Sequence, residues 1–156
     1  MRRLLLALFA VAVAITTTTS PTFAAKSSKG MMKKSAPEIG GYCPVAYVAA
    51  GKALKGDAKF SSKHGGHTYW FVSADAKKLF DAAPAQYTIA YDGYCATAVA
   101  EGMKVTSDPT QFTVKDGVSY LFYNADAKKL FDSDAAKWKS EADTNWPKVS
   151  KLALKM

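Results

Sequence analysis

The stretch "YWFVSADAKKLFD" at residues 69–81 returns without a gap as "YLFYNADAKKLFD" at residues 120–132. The shared run "ADAKKLFD" is too long an identity for chance. The chain therefore carries an internal duplication, and the repeat organises the fold. The same offset pairs Gly66 with Gly117, Asp57 with Asp108 and Gly51 with Gly102. Farther upstream, "GYCPVAY" (41–47) pairs with "GYCATAV" (93–99), one position out of step. These two segments hold the only cysteines of the chain, Cys43 and Cys95.

Each half reads in the same order. After the "GYC" segment comes a strand, "KFSSKH" (59–64) or "QFTVK" (111–115), then a two-residue turn, "GG" or "DG". Such turns are strong hairpin signals. The second strands, "HTYWFV" (67–72) and "VSYLFY" (118–123), alternate so that Tyr69/Tyr120 and Phe71/Phe122 share one face and Trp70/Leu121 the other. Both faces are apolar, which predicts a sheet at least partly covered on each side. Ser73 and Asn124 stand where a helix N-cap belongs, with Asp75 and Asp126 in the first turn. A stripe of Ala76, Leu79, Phe80 and Ala83 predicts the buried face of the first helix, which Pro84 stops. The second stripe runs through Ala127, Leu130, Phe131, Ala135, Trp138 and Ala142, and predicts one helix ended by Pro147. Lys77–Lys78 and Lys128–Lys129 fall off these stripes and read as solvated faces. The fold class is α+β: two β-hairpin-plus-helix halves with pseudo-twofold symmetry. The repeats span about 41–92 and 93–149 within a domain at 39–150.

The N-terminus has a different character. Arg2 and Arg3 precede an apolar stretch from Leu4 to Ile15, and "TTTTSPTFA" follows. That stretch is shorter than the roughly 20 residues a bilayer span needs. The order matches a cleaved secretory signal at 1–24, with the mature chain starting at Ala25 and no transmembrane segment after processing. A small, basic leader at 25–38 follows, and its Met31–Met32 pair reads as linker rather than as a soft-metal site. The expected localisation is periplasmic or secreted. Cleavage removes two positive charges from a formal +8, and every basic residue left is lysine. The planar guanidinium favoured for nucleic-acid recognition is then absent, which argues against nucleic acid as a partner. Scattered lysines fit a solvated surface with weak attraction to an anionic envelope. The oligomeric state is not legible.

Taken together, "GYCPVAY", "GHTYWFVS", "PAQY", "DGYCA" and the closing "NWPKV" resemble the YHS domain family in an exported form, across residues 40–149. Other YHS-like domains are taken to handle soft metals, so the resemblance implies a binding module for copper or another soft metal. In those metal-associated forms cysteines follow Pro-Val and flank the strand–helix junction. The matching positions here are Ala46, Val72 and Ala76, none of which can ligate, while Cys43 stands where the family usually has Asp.

Three sets of residues are therefore candidates. Cys43 and Cys95 are equivalent under the duplication. In an oxidising compartment they are expected to meet at the seam and form a disulfide, with a dithiolate metal site or two unpaired buried thiols as the alternatives. His64 and His67 flank the Gly65–Gly66 turn, face each other across a hairpin, and with the two cysteines would complete a Cys₂His₂ set. The second half builds the same turn with Lys115 and Val118, so folding does not require histidines there. The tyrosines around the "GYC" segments, Tyr42, Tyr47, Tyr91 and Tyr94, are candidates to line a small pocket. No nucleophile motif accompanies the histidines, and the repeated acids Asp75, Asp81, Asp126 and Asp132 read as caps and surface rather than as paired catalytic carboxylates. The expectation is a non-enzymatic binding module for a soft metal or a small ligand at the hinge between the halves. The alternative is a disulfide-stapled structural or partner-binding envelope protein.

Overall fold

A computed structural model of the chain describes residues 38–154. The signal peptide read at 1–24 and the leader, Met31 and Met32 included, lie outside these residues, except that Glu38 belongs to the folded body. The first half runs through α1 (Pro44–Ala50), β1 (Asp57–His64), β2 (His67–Phe71) and α2 (Ala74–Ala82). The second repeats this as α3 (Ala96–Ala100), β3 (Asp108–Lys115), β4 (Val118–Phe122) and α4 (Ala125–Ser133), and adds α5 (Ala135–Val149). Short 3₁₀ turns precede α1 and α3 at Glu38–Gly41 and Ala90–Gly93, and another follows α2 at Pro84–Tyr87. The class is α+β with duplicated halves. No helix among the described residues is long and apolar enough to cross a membrane.

The local chemistry follows the repeat closely. Each hairpin is antiparallel and carries the same irregularity in its first strand, between Asp57 and Ser61 and between Asp108 and Phe112. Both turn residues have positive φ in each hairpin, 58° and 86° at Gly65–Gly66 and 52° and 76° at Asp116–Gly117. That is the geometry of the tight turns that match strand twist. The Ser73 side chain accepts from the Ala76 N–H at 3.1 Å, and the Asn124 side chain accepts from the Ala127 N–H at 2.8 Å. Even the ties from helix to sheet recur: Ser62 donates to Asp81, and Thr113 to Asp132. Asp81 is held below its usual range by hydrogen bonds from Lys77 and Ser62, as expected of a surface carboxylate.

Several expectations are corrected. Leu79 and Leu130 are 51% and 43% exposed, so the buried stripe narrows to Ala76 with Phe80 and Ala127 with Phe131. A nine-residue helix laid on a two-stranded hairpin has only that width of sheet to cover. The second helical stripe is two helices. Asp134 leaves the helical region (φ −153°, ψ 72°) and caps α5 through the Lys137 N–H. Pro147 does not stop α5, which continues to Val149. Sheet coverage also differs between the halves. β4 is buried on both faces, whereas β2 is only half-buried apart from Phe71.

That difference comes from how the halves meet. Tyr47 of α1 is fully buried on the outer face of the second hairpin with Ile39 and Leu121. Its ring lies 4.7 Å from that of Phe112, and its hydroxyl donates to the Pro109 carbonyl at 2.8 Å. Val99, the counterpart of Tyr47, is buried instead within its own half, in the cluster that also holds Ala142 and Val149 of α5. The first hairpin has Ser61 and Lys63 where the second has Phe112 and Val114, so its outer face is polar.

Candidate functional site

Both cysteines are fully buried free thiols, and the expected disulfide is not formed. The physical reason is that each sits in the core of its own half rather than at a shared seam. Cys43 packs with Val45, Phe71 and Phe80, and Cys95 with Val99, Tyr120 and Phe122. Each precedes a short helix as its N-cap residue. Burial raises the Cys95 thiol above its ordinary value, against the pull of backbone N–H groups of Ala98, Tyr123 and Thr97. A thiol kept protonated is a poor metal ligand.

The histidines are placed as a pair at the tip of the first hairpin. His64 and His67 are direct partners across the hairpin. His67 Nδ1 bonds the Glu38 carboxylate at 2.7 Å, and the His64 ring stands edge-on to Phe80 with centroids 5.9 Å apart. No group of three or more His, Cys, Asp or Glu among the described residues can hold a metal ion. The Cys₂His₂ set is therefore not assembled among the described residues.

Tyr42, Tyr47, Tyr91 and Tyr94, read as pocket candidates, pack against other residues. Besides Tyr47 on the second hairpin, Tyr91 is buried against Tyr120 and Trp146 and donates to the Asp143 carboxylate at 2.9 Å. Burial, then Asp143, pushes its phenol strongly upward. Tyr94 stacks near Trp146 under Lys104, and Lys55 sits over the Tyr42 ring.

None of these four tyrosines lines the groove at the first hairpin. A groove of about 250 Å³ opens between the tip of the first hairpin and the segment 84–92, lined by His64, His67, Tyr69, Phe80, Tyr87 and Asp92 among others. Its walls form a run of rings: Tyr69 to Phe80 at 5.1 Å, Phe80 to Tyr87 at 6.4 Å, His67 to Tyr69 at 6.4 Å. The Thr88 carbonyl accepts from the Ser119 N–H at 3.2 Å, and Ile89 bridges Ser119 in parallel, so the outer wall is tied to β4 of the second half. Burial, then the carboxylates of Glu38 and Asp92, raises the Tyr69 phenol to about 12. Asp92 sits at φ 51°, in a left-handed turn with Tyr91 (φ 54°) and Gly93 (φ 77°). Side chains are disfavoured there, although Asp tolerates it better than most. A Cβ on Gly93 would lie 2.8 Å from Ile39 Cγ2, so glycine is required at the end of this turn.

In the second half the equivalent rings are covered by other side chains. There Tyr91 packs on Tyr120 at 6.1 Å, with Val118, Trp138 and Trp146 around the same cluster. The residue equivalent to Tyr91 in the first half is Ile39, which turns to Tyr47 and Leu121 and leaves Tyr69 half-buried. Sequence reasoning found the histidines but missed Glu38, Tyr69, Phe80, Tyr87 and Asp92. The signal was available: comparing the halves position by position sets Ile39 against Tyr91 and Gly40 against Asp92. No family model, curated protein or solved structure matches the chain.

Proposed function

We propose that this chain is an exported, non-enzymatic binding module of YHS type, and that its ligand is a small molecule held in the groove between the first hairpin and the segment 84–92. The observation that carries this reading is the aromatic groove present in the first half and filled in the second. In the second half Tyr91 packs on Tyr120, the ring equivalent to Tyr69. The volume falls just below the range of about 300–1,000 Å³ usual for drug-sized ligands, so the ligand is small. The groove holds no cysteine, and its Thr88 hydroxyl is already committed to the Ala85 carbonyl, which leaves the histidines without a nucleophile to activate. Export rests on the order of basic, apolar and small-residue segments at 1–24.

Purification of the chain from the envelope fraction of its source, followed by mass spectrometry of both protein and extracted small molecules, tests this. The protein is expected to begin at Ala25 and to carry a small organic molecule that is lost when Thr88→Trp fills the groove. An intact Met1, equal ligand content in wild type and variant, or stoichiometric copper would each overturn the corresponding part of the reading.

A further inference from the structure

We infer that the groove selects a small organic cation, an amine or quaternary ammonium group carried on a compact apolar body; this rests on the groove being the binding site. Three independent features point to it. First, the walls are ring faces and edges from Tyr69, Phe80 and Tyr87, the surface that attracts ammonium groups through the aromatic quadrupole. Second, the charges that reach Tyr69 are both negative, from Glu38 and Asp92. The Glu38 carboxylate already bonds His67 Nδ1, but Asp92 makes no hydrogen bond or ion pair among the described residues. Third, none of the lysines among the described residues lines the groove, although the chain as a whole is strongly basic.

The placement of Asp92 adds weight. A non-glycine residue in a left-handed turn costs about 1–2 kcal/mol, and such strain gathers at ligand sites. The equivalent position in the first half is Gly40 at φ 62°, so the fold accommodates glycine there without strain. A carboxylate has been kept at the mouth of an aromatic groove where glycine would serve the backbone better. An unpaired anion over ring faces discriminates by charge: it favours a cation, tolerates a neutral molecule and repels a carboxylate.

The test is an amide NMR titration of the full chain with three probes that share a benzyl body: benzyltrimethylammonium, benzyl alcohol and phenylacetate. The ammonium probe is expected to shift the amides of Tyr69, Tyr87 and Asp92 and to bind about tenfold or more tighter than benzyl alcohol, with phenylacetate weakest. Asp92→Asn keeps the side-chain shape and suits a left-handed turn, so it should fold normally. It is expected to abolish the tenfold preference and leave benzyl alcohol affinity unchanged. Equal binding of all three probes at the groove would overturn the cation inference while leaving the groove as a binding site. Tighter binding of phenylacetate would do the same. No probe-dependent shift at the groove amides would overturn both.

Discussion

Replacing the two cysteines singly and together separates a stapled fold from two independent cores. Both sulfurs are fully buried, each in a different cluster. Cys43→Ala removes a sulfur from the cluster of Phe71 and Phe80, and Cys95→Ala one from the cluster of Tyr120 and Phe122. Losing a buried group somewhat larger than a methylene, plus the small cavity left behind, destabilises by about 1–2 kcal/mol at each site. Sites without shared partners add to within about 0.5 kcal/mol, so the double variant should lose about 2–4 kcal/mol. A disulfide predicts a different pattern. Closing a loop of about 50 residues is worth about 4 kcal/mol, either single variant forfeits all of it, and the second replacement adds only its packing loss. Urea unfolding of the four proteins, with and without reductant, distinguishes the two. The reasoning here fails if each single variant loses as much as the double, or if reductant alone lowers the midpoint of the wild type.

Alkaline pH should unfold the protein early. Burial raises the phenols of Tyr47, Tyr91 and Tyr120 above the ordinary value near 10, so their contribution is intact below about pH 10 and is lost as pH rises toward the folded values. With all three ionised only in the unfolded chain, stability should fall by up to about 4 kcal/mol per pH unit, and a urea midpoint unchanged between about pH 9 and pH 11 would contradict this. The helix caps make a smaller, duplicated prediction: Ser73→Ala and Asn124→Ala should each cost about 1 kcal/mol and sum in the double variant, as read by urea unfolding. Wild-type stability in both single variants would show that these caps carry no weight.

Much of the fold was legible because the chain states it twice. The "ADAKKLFD" identity, the Gly-containing turns and the Ser73 and Asn124 caps are local signals, and each acts through residues within a few positions. What was not legible depended on tertiary context. Leu79 and Leu130 sit on the apolar side by helical period, yet the hairpin beneath is too narrow to reach them. The break at Asp134 was hidden because the apolar spacing runs through it. The duplication nevertheless marks it: Asp134 aligns with Ala83, which has nearly the same backbone (φ −149°, ψ 68°), and Ala135 aligns with Pro84, the stop of the first helix. Equivalence in sequence also misled where it was taken for proximity. Cys43 and Cys95 occupy the same place in their halves, and that place is an interior pocket of each half.

The site is therefore best read from what the halves do not share. Identical segments produce like units: α2 and α4 have the same length, side-chain N-caps at equivalent positions and equivalent Asp–Lys pairs, Asp81 with Lys77 and Asp132 with Lys128. Divergent positions decide which faces are buried. Phe112 and Val114 in place of Ser61 and Lys63 make the second hairpin a seat for Tyr47. Tyr91 in place of Ile39 fills the second half beside Tyr120, and its bond to Asp143 ties that ring to α5. Ile39 in place of Tyr91 is drawn into the seam and leaves the ring of Tyr69 facing open space beside Asp92. One substitution between equivalent positions thus does two things: it joins the halves and it opens the groove. A variant that places tyrosine at Ile39 would set these demands against each other, because the buried cluster of Ile39, Tyr47 and Leu121 would be overpacked by a ring. Its side chain would have to swing over Tyr69, and the groove would close in the manner of the second half.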